Sequence, residues 1–133
     1  MITADSSVWI DYLAGRMTPK AQLLDEVLED SSQDFVLLDV VLMEVLRGCR
    51  FEHEWRLTNK ALSDLPVHIA GGDPVARLAA ALYRQLHKTG VTVRSPIDLL
   101  VGSWCIKSGC ALIHNDRDFL PMQQHGLQAF AVF

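Results

Sequence analysis

The chain has 133 residues and a formal net charge of −4, and half of its residues are hydrophobic. This length supports a hydrophobic core without disulfide staples, and we expect one domain over residues 1–133. The acidic balance argues against a protein that holds nucleic acid by bulk charge alone, because such proteins are usually basic.

The cysteines and the apolar segments indicate a cytoplasmic location. Cys49, Cys105 and Cys110 are odd in number and form no CxxC pair, which is typical of reduced structural thiols. The N-terminal residues show no basic segment followed by a long apolar run, so we expect no secretory signal peptide. No segment approaches the roughly 20 apolar residues that a membrane-spanning helix needs.

Short apolar runs alternate with helical patterns along the chain. In chain order they predict a strand at 2–5, a helix from Ser6 or Ser7 to Gly15, a helix at 19–30, a strand at 35–38 and helices at 39–48 and 51–65. A strand at 67–69, helices at 73–90 and 95–107, a strand at 110–113, a short helix at 117–125 and a strand at 129–133 follow. Strands that are apolar throughout are typical of a parallel sheet covered on both faces. The pattern predicts a three-layer α/β/α domain with a mainly parallel sheet of four or five strands.

Acidic residues follow several of the predicted strands. Asp5 ends the first strand, and Asp116 and Asp118 follow the strand at 110–113. Glu44 lies in the helix after the second strand, and Asp98 lies in the first turn of the helix at 95–107. Because ligands bind beyond the carboxyl ends of parallel strands, we expect these acids to lie along one functional edge of the sheet.

Most of these acids also have a purely structural explanation. Asp5 would be favoured near a helix N-terminus by about 0.3–1 kcal/mol. Asp98 completes a Ser-Pro-Ile-Asp capping box, and Asp116 or Asp118 could cap the helix that begins at Arg117. Taken singly, the acids therefore do not establish a site. If all of them were structural, however, several independent coincidences would be needed to place them around one edge of the sheet.

Glu44 is the acid that is hardest to explain structurally. Its segment, residues 40–47, is apolar on nearly every face and predicts a largely buried helix. A buried carboxylate needs a partner, and Arg47 could pair with it across the helix surface. The alternative is a metal ion, which removes the repulsion among converging carboxylates. Carboxylate oxygens suit Mg²⁺ or Mn²⁺ better than zinc.

The motifs resemble, in order and spacing, those of the PIN-domain ribonucleases, and specifically the VapC-type toxins of bacterial toxin–antitoxin pairs. The resemblance covers essentially the whole chain and rests on "ADSSVWIDYL", "MEVLRG", "SPIDLLVGSWCIKSG" and "LIHNDRDF". It implies that the catalytic and metal-binding acids are Asp5, Glu44, Asp98 and Asp116. It also implies that Asp118 is a further metal-binding acid. The residues that it implies as supporting the site are Ser6, Asn115 and Arg47.

The resemblance implies an Mg²⁺- or Mn²⁺-dependent endoribonuclease in which water attacks phosphorus in line and leaves a 5′-phosphate and a 3′-hydroxyl. Ser6 would hydrogen-bond a site carboxylate or a bound water, and Arg47 would orient Glu44 or touch phosphate. The implied partners are the RNA substrate, a small VapB-like antitoxin whose C-terminal segment enters the acidic groove, and a second copy in a homodimer. His114 departs from the family pattern. It is either a histidine that simply ends the strand or a residue that contacts RNA.

Several alternatives remain open. A catalytically inactive PIN-like module would bind RNA or protein, and a metal-dependent phosphatase would act on small molecules in a deep pocket. Arg117 and Lys107 are either RNA backbone contacts or solvated surface charges. The helix at 51–65 carries three apolar side chains, which are Phe51, Trp55 and Leu57. They either form a groove for a partner or pack on the core of the domain.

Overall fold

The computed structural model describes residues 1–130. Its strands are β1 (Ile2–Ala4), β2 (Leu37–Leu38), β3 (Val67–His68), β4 (Ala111–Ile113) and β5 (Gln128–Ala129). Its α-helices are α1 (Ser6–Leu13), α2 (Pro19–Glu29), α3 (Asp39–Arg47), α4 (Glu52–Leu62), α5 (Asp73–Lys88) and α6 (Pro96–Ser108). Two 3₁₀ helices follow β4, at Arg117–Phe119 and Pro121–His125. The final part of the predicted last strand, 131–133, lies outside the described residues.

The strands are parallel and form two ladders, β1-β4-β5 and β2-β3. A parallel bridge between Ile2 and Phe35 joins the ladders. There the Ile2 N–H donates to the Asp34 carbonyl and the Val36 N–H donates to the Ile2 carbonyl, each at 2.9 Å. The strand order is therefore β3-β2-β1-β4-β5, which confirms the predicted parallel sheet and three-layer architecture.

The centre of the sheet is buried because its strands are almost wholly apolar. All three residues of β1 and the last two of β4 are buried. Thr3 is the polar exception, and its hydroxyl donates to the Val36 carbonyl at 2.7 Å, which satisfies the buried group. Trp9 of α1 packs edge-on against Phe35, with ring centroids 5.8 Å apart. Helix pairs α1–α2 and α5–α6 pack side by side.

Local signals explain the ends of the helices that flank the site. The Thr18 hydroxyl accepts a hydrogen bond from the Ala21 N–H at the start of α2, as an N-cap does. Gly109 ends α6 with a left-handed φ of 66°, a conformation that glycine adopts without strain. The chain can then turn directly into β4.

Three local predictions differ from the structure. Asp5, and neither Ser6 nor Ser7, occupies the N-cap position of α1. The short helix at 117–125 is two 3₁₀ helices, because Pro121 has no N–H to continue a helix. The prediction that α3 is largely buried is wrong, since only Val41 and Val45 of this helix are buried.

Cys49, Cys105 and Cys110 are free thiols, and the last two are buried. In the part of the chain that the structure describes, no helix combines the length and the apolar character needed to cross a bilayer.

Gly102 allows the second 3₁₀ helix to pack against α6. A Cβ at this position would collide with the sulfur of Met122, which is fully buried. We expect Gly102→Ala to lower the free energy of unfolding by about 1–3 kcal/mol, because overpacking forces core side chains to move. Urea unfolding followed by circular dichroism measures this change. Gly71→Ala is the matched control, since its Cβ meets nothing within 4 Å; equal unfolding midpoints for the two variants would contradict the packing argument.

Candidate active site

The candidate site lies where the order of the strands reverses. From β1 the chain continues to β2 on one side, whereas β4, the other neighbour of β1, leads to β5 on the opposite side. In open parallel sheets such a switch point leaves a crevice beyond the carboxyl ends of the two central strands. Asp5 directly follows β1, and its N–H donates to the Ile113 carbonyl at the end of β4 at 3.0 Å. Asp116 follows β4 by three residues, at the same edge.

Asp98, Asp116 and Asp118 form the tightest acidic group in the described part of the chain. One carboxylate oxygen from each lies within 4.8 Å of the other two. The Asp116 carboxylate caps the first 3₁₀ helix through Oδ1, which accepts from the Asp118 N–H at 2.9 Å. The predicted capping role of Asp116 is therefore present, and it leaves Oδ2 available at the site.

Asp98 enters this group from the first turn of α6. Ser95 Oγ accepts a hydrogen bond from the Asp98 N–H at 3.3 Å. The reciprocal bond of a capping box, from the Ser95 N–H to the Asp98 carboxylate, does not occur among the hydrogen bonds of residues 1–130. Only half of the predicted capping box forms, and the Asp98 carboxylate is left facing the other acids.

Asp5 is 2% exposed, yet its carboxylate makes no capping bond to α1. Its Oδ2 accepts from the Ser7 hydroxyl at 2.9 Å, and its Oδ1 is buried with no hydrogen-bond partner in the described chain. Burial raises the pKa of Asp5; the Ser7 hydroxyl and the nearby backbone N–H groups of Ser6 and Ser7 oppose this shift, and the charge of Asp116 adds to it. Of the two adjacent hydroxyls, Ser7 makes the carboxylate bond, and the alternative expectation for Ser6, a bond to a bound water, stays a prediction.

Glu44 presents a second unpaired oxygen. Its Oε1 is buried and has no partner within residues 1–130. Arg47 is exposed, and the ion pairs of the described chain do not include one between Arg47 and Glu44. Within the described residues, Glu44 therefore lacks the ion pair with Arg47 that would have explained its buried carboxylate in purely structural terms.

The electrostatics of Asp98 connect all five acids. Burial and then the charges of Asp5, Asp116, Glu44 and Asp118 raise the pKa of Asp98 to about 7. Asp5 and Glu44 are not members of the tight group, but they lie close enough to disfavour a charge on Asp98. The structure thus brings Asp98, Asp116 and Asp118 together, with Asp5 at the same edge of the sheet and Glu44 close enough to affect the ionisation of Asp98.

The remaining predicted residues lie beside this site or farther from it. Asn115 is exposed beside Asp116 and, with Arg117, lines a pocket of about 260 Å³. Lys107 lies nine residues after Asp98 on α6, about 14 Å along the helix axis. His114 is buried at the end of β4, where its ring packs against Phe119 with centroids 5.1 Å apart.

The donor set suits a hard divalent cation. It consists of carboxylate oxygens, which Mg²⁺ and Mn²⁺ prefer. Asp5 Oδ1 and Glu44 Oε1 are buried oxygens without protein donors in residues 1–130, and each lacks a partner of the kind that a cation would supply. It would also remove the repulsion that raises the pKa of Asp98.

Comparison with known proteins places this geometry in a family. The family profile of the PIN domain matches residues 2–123, a range that includes all five acids. The protein named ribonuclease VapC11 from Mycobacterium tuberculosis H37Rv is 27% identical over 119 residues, which cover 90% of this chain and 89% of VapC11. A VapC ribonuclease of Mycobacterium bovis matches with the same identity and coverage.

Solved structures show the same fold. VapBC2 from Rickettsia felis, bound to a DNA fragment from its promoter, matches with a TM-score of 0.76 and 15% identity over 98% of both chains. DNA-bound VapBC from Salmonella typhimurium also has a TM-score of 0.76, with 17% identity over 98% of both chains. From the profile match over most of its length, and from the acids that the fold brings together, this chain belongs to the PIN domain family.

Proposed function

We propose that this protein is a metal-dependent endoribonuclease and the toxin of a type II, VapBC-like toxin–antitoxin system that acts in the cytoplasm. The observation that carries the proposal is the group formed by the Asp98, Asp116 and Asp118 carboxylates at the switch point of the sheet. Asp5 and Glu44 lie close enough to affect Asp98, and each has a buried oxygen without a hydrogen-bond partner in residues 1–130. Membership of the PIN domain family and similarity to relatives named as VapC ribonucleases support it.

Asp5, Glu44, Asp98 and Asp116 would hold Mg²⁺ or Mn²⁺, with Asp118 as a further ligand. When bound, such a cation lowers the pKa of a coordinated water and stabilises the charge that develops on phosphate. The protein itself holds the carboxylates in fixed orientations. Ser7 fixes one oxygen of Asp5, and the Asp118 N–H fixes one oxygen of Asp116, so both carboxylates are oriented before substrate arrives.

The proposed reaction is hydrolysis of an RNA phosphodiester. The oxygen of water bonds to phosphorus, the bond from phosphorus to the 3′ oxygen breaks, and that oxygen takes up a proton. The products are a 5′-phosphate and a 3′-hydroxyl. Asp116 and Asp118 are half-buried rather than enclosed, which suits an extended strand more than a small phosphoester sequestered in a deep pocket.

The exposed apolar side chains of α4 support a protein partner. Phe51 and Leu57 are 64% and 67% exposed, and Trp55 is exposed as well. Leu62 is the one buried residue that this helix contributes within the described chain. Packing on the domain's own core therefore does not account for the other three. We propose that a VapB-like antitoxin covers this face and places its C-terminal segment at the acids.

A homodimer is the other proposed assembly. The groove between α5 and α6 has a volume of about 480 Å³ and an almost wholly apolar lining that includes Ala79, Tyr83, Leu99 and Leu100. An apolar surface of this kind is typical of a protein contact. We propose that a second copy of the chain covers it.

The first prediction from this function is RNA cleavage that requires Mg²⁺ or Mn²⁺ and stops in EDTA. Asp5→Asn and Asp98→Asn should each lower the cleavage rate by about 100-fold or more, as loss of groups that hold a metal does. Asp64→Asn is the matched control, because Asp64 is exposed on the loop after α4. Gel analysis of structured and unstructured RNAs measures the rates, and circular dichroism verifies that each variant folds.

Two results of the same assay would favour the alternatives. Hydrolysis of a small phosphoester alongside intact RNA would indicate a phosphatase. RNA that is bound but not cut in either metal would indicate an inactive binding module. Full activity of Asp98→Asn would contradict the assignment of the acids.

The second prediction concerns the stability of the metal-free protein. The pKa of Asp98 is about 7 in the folded state and about 3.9 in an unfolded chain, so between these values the folded state binds the extra proton. The stability contributed by this protonation is present at low pH and is lost as pH rises through about 7. In EDTA, Asp98→Asn should therefore melt higher than wild type at pH 8, with little difference near pH 4.

Added Mn²⁺ should reverse this order at pH 8. A cation that binds only the folded state raises the melting temperature, and we expect a larger rise in the wild-type protein than in Asp98→Asn. Asp64→Asn should follow wild type throughout. Equal responses of Asp98→Asn and wild type to both pH and Mn²⁺ would contradict the proposed role of Asp98.

The third prediction concerns the antitoxin. Replacing both Phe51 and Leu57 by serine should weaken binding of the cognate VapB-like antitoxin by about tenfold or more, because it removes exposed apolar anchors from the interface. RNA cleavage by the free toxin should not change. Calorimetric titration measures the affinity, with Asn59→Ala on the same helix as the control. Unchanged affinity in the double variant would place the antitoxin on another surface.

A further inference from the structure

A pocket of about 260 Å³ opens beside the acidic site. Asp116 belongs both to the tight carboxylate group and to the lining of this pocket. The other lining residues that matter here are Lys20, His114, Asn115, Arg117, Leu120 and Gln123. We call it the flanking pocket. Its volume lies just below the range of pockets that enclose drug-sized ligands, so it suits a group of about the size of one nucleotide.

The flanking pocket carries positive charge in a chain whose net charge is negative. Lys20 reaches it from α2, and Arg117 reaches it from the first 3₁₀ helix. Neither side chain belongs to an ion pair of the described residues, although Asp116 and Asp118 flank Arg117 in sequence. Both cations are therefore available to phosphate oxygens, which lysine and arginine bind well.

A buried histidine fixes the orientation of an amide in the same pocket. His114 is 7% exposed, and its Nε2 lies 3.1 Å from Gln123 Oε1. The amide oxygen can only accept, so this contact is a hydrogen bond when Nε2 carries a proton. Nδ1 is buried and has no hydrogen-bond partner in the described chain. With its oxygen committed to His114, Gln123 keeps its amide NH₂ for a ligand.

The remaining lining matches a nucleobase. Asn115 offers a second amide, and Leu120 offers an apolar surface that is 54% exposed. Glutamine and asparagine read base edges through their amides, and sequence-specific recognition of RNA acts mostly on unstacked single-stranded bases. Cations for phosphate, amides for a base edge and an apolar surface for a base face are thus gathered in one pocket next to the carboxylates.

From this arrangement, and resting on the proposed function, we infer that the flanking pocket holds the nucleotide next to the scissile phosphate and reads its base. Gln123 is the specificity-determining residue, His114 positions it, and Lys20 and Arg117 bind the adjoining phosphate. The acidic protein then selects its cleavage site through one nucleotide pocket rather than through bulk charge.

The test compares Gln123→Ala with Gln124→Ala. Gln124 is the exposed neighbour on the same 3₁₀ helix and is not among the residues that line the pocket. Cleavage of an RNA with randomised sequence, followed by sequencing of the product ends, gives the base preference at each position around the cut. Wild type should show a preference at one adjacent position, and Gln123→Ala should reduce it about tenfold, as loss of a base-edge contact does. Gln124→Ala should retain it.

A binding experiment separates this inference from the nuclease proposal. Fluorescence anisotropy in EDTA measures the affinity of four short single-stranded RNAs that differ at one base. Wild type and Gln124→Ala should discriminate among them, and Gln123→Ala should bind all four alike. Lys20→Ala should weaken all four to a similar extent.

The outcomes divide cleanly between the two proposals. Cleavage without a base preference, or a preference that survives Gln123→Ala, overturns the flanking pocket and leaves the nuclease intact. Base-selective binding that depends on Gln123, in a protein that cuts no RNA, supports the pocket and overturns the nuclease. Equal binding of all four RNAs by wild type overturns the pocket whatever the cleavage assay shows.

Discussion

The constraint on which the structure depends is the repulsion among carboxylates brought together at the ends of β1 and β4. Parallel pairing of these two strands places Asp5 beside the chain that leads to Asp116. The capped first turn of α6 adds Asp98. Burial and like charges disfavour ionisation of Asp98, and a cation is the group that would turn this repulsion into attraction.

The hydrogen bonds around the acids are consistent with this reading. Ser7 uses one oxygen of Asp5, and the Asp118 N–H uses one oxygen of Asp116. Each carboxylate is oriented by one oxygen and keeps the other free. A purely structural set of acids would instead be expected to satisfy its buried oxygens within the protein, whereas Asp5 and Glu44 each have one buried oxygen without a partner in residues 1–130.

Sequence patterns were sufficient to predict the order of the strands and helices, because each element depends on local signals. Apolar runs predicted the strands, and Ser95 marked the start of α6. Patterns predicted too much burial for α3, because the apolar character of a residue does not show whether a neighbouring element covers it, and Met43 is exposed. The flanking pocket could not be predicted from the sequence, since Lys20 and Gln123 lie far apart in the chain and line one pocket only after folding.

The distribution of charge explains how an acidic chain could bind a polyanion. The net charge of −4 does not show how charge is distributed over the surface. At the site, a cation would neutralise the acids. Lys20 and Arg117 line the pocket beside Asp116, and neither belongs to an ion pair of residues 1–130. Local charge, more than the total, would then decide where a phosphate backbone binds.

Anomalous diffraction from crystals of the protein soaked in Mn²⁺ tests directly whether the acids hold a cation. We expect an anomalous peak at the switch point of the sheet, about 2.0–2.2 Å from oxygens of Asp98, Asp116 and at least one other of the five acids. Absence of a peak at this position, or a peak bound only by surface carboxylates elsewhere, would contradict this expectation.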